Sequence, residues 1–104
     1  MDIIVQSLGF KAGEGLEEFI REKLSKFDKE IKIIRANVTL YVGSAANPNK
    51  CYCEIRLEVP GNDLFVKKKS DTFDKAIMDT VHTLQKNILR SKEKQLDRNH
   101  GSLA

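Results

Sequence analysis

An α+β fold, one four-stranded sheet carrying two helices on a single face, is the class this chain predicts, and three observations lead to it. Two segments place apolar residues at helical spacing, other segments have the composition and period of strands, and their order along the chain is β-α-β-β-β-α. The helix between the first two strands is a crossover long enough to make them parallel and right-handed, and two turn-rich loops make the later strands antiparallel hairpins. A chain of 104 residues has room for one domain with a single modest core.

The chain opens on "DIIVQSL", a β-branched run ended by the loop "GFKAG". "EGLEEFIREKLSKFDKE" then sets Leu16, Phe19, Ile20, Leu24 and Phe27 on one helical stripe, with Glu14, Glu17 and Glu18 in the first turn and lysines in the last. Charges so placed complement the helix dipole at both ends. From Ile33 the period drops to two: Ala36, Val38, Leu40 and Val42 alternate with Arg35, Asn37, Thr39 and Tyr41.

After "GSAANPN" a second alternating run sets Cys51, Cys53, Ile55, Leu57 and Val59 against Tyr52, Glu54, Arg56 and Glu58, and "PGND" turns the chain into "LFVKKK". Pairing Val42 with Cys51 brings Tyr41 opposite Tyr52 and Arg35 opposite Glu58 on the solvent side, both favourable cross-strand pairs. The last helix, within residues 70–94, carries Phe73, Ala76, Ile77, Val81, Leu84 and Ile88 on one stripe, with Ser70 or Asp71 as its N-cap. Residues 1–94 form the expected domain, and 95–104, which lack an apolar period, a flexible tail.

Composition excludes several function classes. Charged residues make up 32% of the chain and apolar ones 40%, an ordinary globular balance. No apolar run approaches the ~18 residues that span a bilayer, and the N-terminus lacks the basic region and cleavage site of a secretory signal, so a cytoplasmic protein without membrane contact is expected. Cys51 and Cys53, two apart on a strand, read as buried structural thiols, since a Cys-x-Cys metal site needs further ligands and His82 and His100 lie elsewhere. There is no phosphate-binding glycine loop, no His and carboxylate at ligand spacing and no cysteine beside a base, which argues against an enzyme and calls for no cofactor.

The net charge of +3 is unevenly held: residues 1–63 carry nine Lys/Arg against ten Asp/Glu, and residues 64–104 nine against five. At 100° per residue, Lys75, His82, Lys86 and Arg90 share an arc of about 80° away from the apolar stripe, with Lys94 just beyond it and, between residues 75 and 90, Asp79 the one acid inside. Lys23 and Lys26 flank the apolar face of the first helix, and Lys67, Lys68 and Lys69 close the last strand. A solubilising face suited to helix C-termini is one reading. RNA or another polyanion gripped by the helical side is the other. A third uses the outer sheet face, where Tyr41, Tyr52 and Phe65 would stack unpaired bases.

"EGLEEFIREKLSKF", with Leu16, Phe19, Lys23 and Lys26, resembles the first helix of the ribosome hibernation-promoting factor family, also called ribosome-associated inhibitor or sigma-54 modulation protein. "AIMDTVHTLQKNILRSKEK" is similar to its second helix, matching the core pattern at Ala76, Ile77 and Leu84 and the basic ending at Lys86, Arg90, Lys92 and Lys94. The resemblance spans about residues 3–94 and implies a domain similar to a double-stranded RNA-binding fold. It further implies binding to 16S rRNA in the mRNA and tRNA channel of the small ribosomal subunit, with translation inhibited in stationary phase or stress. Lys86, Arg90, Lys92, Lys94, Lys23 and Lys26 would grip RNA phosphates, joined by Lys75, Lys67, Lys68 and Lys69. The name sigma-54 modulation implies an alternative, a protein-binding regulator. Long family members add a dimerising second domain after a linker; a chain ending at Ala104 is expected to be a monomer on single ribosomes, pairing ribosomes only with a second hibernation factor.

Overall fold

The alternation that defines the strands also decides how they pair. A computed structural model describes residues 1–43 and 46–103, with side chains through residue 92. Strand β1 (Asp2–Leu8) leads into helix α1 (Glu14–Ser25), which tightens into a 3₁₀ turn at Lys26–Lys29. Strands β2 (Arg35–Val42), β3 (Cys51–Glu58) and β4 (Leu64–Ser70) follow, then helix α2 (Phe73–Leu103). The expected 95–104 tail and the side chain of Lys94 fall outside the described side chains.

The sheet order is β1-β2-β3-β4, with β1 parallel to β2 and the other neighbours antiparallel. Val42 pairs with Cys51, Tyr41 with Tyr52 and Arg35 with Glu58. That register puts Ala36, Val38, Leu40, Cys53, Ile55 and Leu57 on one face, all buried. A one-residue slip of either strand would turn its three outward, so burial excludes it. Gly43, at φ +84, starts the hairpin loop; a Cβ there would lie 2.7 Å from the Pro48 carbonyl oxygen, so the tight turn needs a residue without one.

Both helices lie on the apolar face. Ile20 and Leu24 of α1, Phe27 of the 3₁₀ turn, and Ala76, Ile77, Leu84 and Ile88 of α2 complete one core with the sheet. Thr80 is a polar residue on this stripe, fully buried. Its hydroxyl donates to the Ala76 carbonyl at 2.7 Å and lies 3.5 Å from the Cys53 carbonyl, so the group is satisfied inside the core. The N-cap of α2 is Thr72, not Ser70 or Asp71: its Oγ1 accepts from the Lys75 N–H at 3.3 Å, and its carbonyl accepts from the Ala76 N–H. Asp71 is unavailable because its carboxylate pairs with the Lys50 ammonium.

The two thiols share the inner face but not the same environment: Cys53 is fully buried and Cys51 is not. Burial pushes the Cys53 thiol up to about 11 from its ordinary value of 9.0. The fold thus favours the neutral thiol; this contribution is fully present below pH 9 and is lost as the pH rises through the interval up to about 11. Iodoacetamide should therefore label Cys51 alone in the folded protein and both cysteines in urea. Cys53→Ala should lose less stability between pH 8 and 10.5 than the parent, read from urea midpoints. Equal alkaline losses in the two proteins would exclude this assignment.

Candidate nucleic-acid interface

Burying one stripe of α2 leaves the opposite arc to solvent. Lys75, His82, Lys86 and Arg90 are all exposed, and with Asp79 they form a single ridge. Lys75 and Arg90 are separated by about 22 Å along the axis at 1.5 Å per residue. Among the described residues, Lys86 and Arg90 enter no side-chain hydrogen bond or ion pair. Met78 and Leu89, 43% and 48% exposed, lie beside the ridge.

Lys92 is turned away from this arc. Two residues past Arg90 rotate the side chain by about 200°, and its ammonium pairs with the Glu30 carboxylate at 2.8 Å, just after the 3₁₀ turn. The contact ties the far part of α2 to the end of α1. At the other end of the molecule Phe10 stacks on Phe73, ring centroids 4.9 Å apart. The helices therefore run in the same direction, and the cations near the end of α1 lie at the same end of the domain as Lys92. Lys23 and Lys26 are among them: Lys23 is half-buried, its ammonium 5.5 Å from the Phe19 ring centroid, and Lys26 is exposed.

The three consecutive lysines of β4 do not form one cluster, because the pleat sends neighbours to opposite faces. Lys67 and Lys69 project from the outer face and Lys68 from the helical face. Lys67 lies 5.4 Å from the Tyr52 ring centroid, and a hydrogen bond to Tyr41 holds its ammonium above the usual lysine range. Burial, followed by a hydrogen bond to Glu54, raises the Tyr41 phenol in turn.

Those contacts favour the cross-strand aromatic pair over an open aromatic platform. Tyr52 is 5% exposed: Tyr41 stacks on it with ring centroids 4.9 Å apart and planes 5° from parallel, Lys67 covers it, and the Asn47 amide donates to its hydroxyl at 3.4 Å. The outer face is otherwise occupied by paired charges. Arg35 and the Asn37 amide both meet Glu58, and Arg56 reaches Asp63 and the Phe65 ring. Phe65 alone of the three aromatics remains about half exposed, at 46%.

The face opposite is the one with uncompensated cations, and a ridge of that kind attracts polyanions. Replacing Tyr41 by Thr should cost about 0.5–1.5 kcal/mol through loss of the aromatic pair while leaving polyanion binding within twofold of the parent. Loss of binding from a folded variant, measured by urea melts and RNA retention together, would return the sheet face to contention.

Among protein families, the one described as sigma 54 modulation protein / S30EA ribosomal protein matches residues 3–96. A ribosomal subunit interface protein from Coxiella burnetii is similar in structure, with TM-score 0.77, 19% identity, and coverage of 89% of this chain and 99% of that one. The N-terminal domain of Protein Y from Thermus thermophilus is also similar, with TM-score 0.74 and 22% identity over 86% and 98% of the two chains. At these identities the two structures establish the likeness of fold. Among curated proteins none matches this chain at a significant level.

Proposed function

The chain belongs to the family described as sigma 54 modulation protein / S30EA ribosomal protein, and on that premise we propose that it binds the small ribosomal subunit and holds the ribosome idle. The carrying observation is the α2 ridge: four exposed basic or titratable residues, Lys75, His82, Lys86 and Arg90, opposite the buried stripe and accompanied, between residues 75 and 90, by one acid. A surface of this shape can follow a row of phosphates without reading bases. Set in the mRNA and tRNA channel against 16S rRNA, the domain inhibits translation in stationary phase or stress by occupying the path of both ligands.

Lys23 and Lys26 extend the contact from α1, Lys92 and Lys94 from the far part of α2, and Lys68 from the helical side of β4. Lys67 and Lys69 are the weakest members of the set because they point to the outer face. In this reading residues 1–94 are the binding domain and the protein works without catalysis, in the cytoplasm. Among the described residues no helix is long and apolar enough to cross a membrane. Among the described residues the exposed large hydrophobics are scattered over the sheet, the segment before β2 and α2 rather than gathered in one patch, which supports a monomer on a single ribosome, with ribosome pairing left to a second factor.

The test is co-sedimentation with purified small subunits through a salt series. Binding that weakens steeply with salt supports the proposal. Salt-insensitive binding, or retention by a sigma factor and not by subunits, supports the protein-binding alternative instead.

A further inference from the structure

Histidine is the side chain that ordinarily changes charge between about pH 5 and 8, and within the α2 ridge it stands at one position, His82. That residue is exposed and, among the described residues, enters no side-chain hydrogen bond or ion pair. It lies between two lysines along the helix axis, about 10 Å from Lys75 and about 6 Å from Lys86, and the three side chains share an arc of about 40°. A row of phosphates that meets both lysines therefore passes over His82.

The charged groups around it are few. On α2 itself, Asp79 stands three residues back and Lys86 four ahead. Helix α1 packs beside α2 and runs in the same direction, so helical rotation turns its Phe19 and Lys23 flank toward α2 and leaves its acids Glu18 and Glu22 exposed on the arc away from the sheet. Beneath α2, β3 presents the uncharged Cys51, Cys53, Ile55 and Leu57 to the helices, and β4 presents the half-buried Lys68. Between residues 75 and 90, Asp79 is thus the one carboxylate on the His82 arc.

We propose that protonation of His82 adds a phosphate contact at the middle of the ridge, so that the grip on RNA tightens as the pH falls from about 8 to about 6. A row of cations disfavours one more positive charge within it, and a phosphate strand laid along the row favours that charge. Binding of the strand therefore takes up a proton, and by linkage the affinity rises as the pH drops. The inference rests on the reading that α2 lies along RNA phosphates, and it makes that site responsive to acid with no movement of the fold.

The test measures the full chain against two probes, purified small subunits by pelleting and a short RNA duplex by fluorescence anisotropy. Each is run through a salt series at about pH 7.8 and about pH 5.8, on either side of the ordinary histidine range. The parent should bind about fourfold tighter at the lower pH near physiological salt, with a logarithmic salt slope steeper by up to about 0.9. His82→Gln should bind at both pH values as the parent does at the higher one. His82→Lys, with a fixed charge, should bind at both at least as tightly as the parent does at the lower one. His100→Gln, which removes the other histidine of the chain, should keep the parent's response.

Protonation of the probes themselves acts on every variant alike, so the decisive reading is the difference between the parent and His82→Gln. A parent whose pH response equals that of His82→Gln overturns the proposal and leaves the ridge as a surface of fixed charge. A response lost in His100→Gln and kept in His82→Gln overturns it as well. A parent that fails to pellet removes the ribosome reading while the duplex still decides the role of His82, and binding to neither probe overturns both.

Discussion

Charge reversal at the ridge, Lys86→Glu with Arg90→Glu, is expected to weaken small-subunit binding by about 100-fold near physiological salt. Each phosphate contact contributes about 0.7–0.9 to the logarithmic salt slope, which at 0.15 M ionic strength amounts to about fivefold in affinity. Losing two contacts accounts for about 25-fold, and placing two carboxylates against phosphates adds repulsion. The salt slope should fall by about 1.5 as well, a change that a merely misfolded fraction cannot produce. Stability should hardly move, because both side chains are exposed and enter no ion pair among the described residues. A double variant that pelleted with subunits like the parent across the salt series would make the ridge ordinary surface charge.

The same pair of residues shows what could be read from the sequence. The apolar positions of α2 fix its buried stripe, and the exposed arc follows at 100° per residue, so Lys75, His82, Lys86 and Arg90 were legible as one ridge. The β2 and β3 register was legible for a related reason: apolar alternation on both strands sets which residues face the core, and the Tyr41–Tyr52 and Arg35–Glu58 pairs select the pairing of Val42 with Cys51.

What was not legible depends on groups distant in the chain or on a third strand. Tyr52 is covered by Lys67 of β4 and Asn47 of the loop, so a pair seen only as Tyr41 opposite Tyr52 looks open. Lys92 meets Glu30 across 62 positions, and no local pattern announces that contact. The division of Lys67, Lys68 and Lys69 between two faces is different in kind, since the strand period alone implies it; reading the three as a single basic cluster set that period aside.

Truncation at the centre of the α2 stripe, Leu84→Ala, should act in the opposite manner to the ridge variant. Leu84 is fully buried among core residues of sheet and helix. Removing its branched end leaves a cavity that the packed strands beneath can only partly close, so a cost of about 3 kcal/mol is expected. In a domain of this size that corresponds to a fall of roughly 12–24 °C in Tm. The ridge charges are untouched, and if the parent has ordinary stability the variant stays mostly folded at 25 °C. Its subunit affinity and salt slope there should match the parent's within about twofold. On warming, free protein should unfold early while subunit-bound protein is retained, because a ligand that binds only the folded state shifts the equilibrium by mass action. Calorimetry of the free variant and pelleting at 25 °C give the two readings independently. A fall of less than about 5 °C would mean that α2 does not close this core, and a lost salt slope in protein still folded would mean that the ridge depends on packing at Leu84 and not on its charges alone.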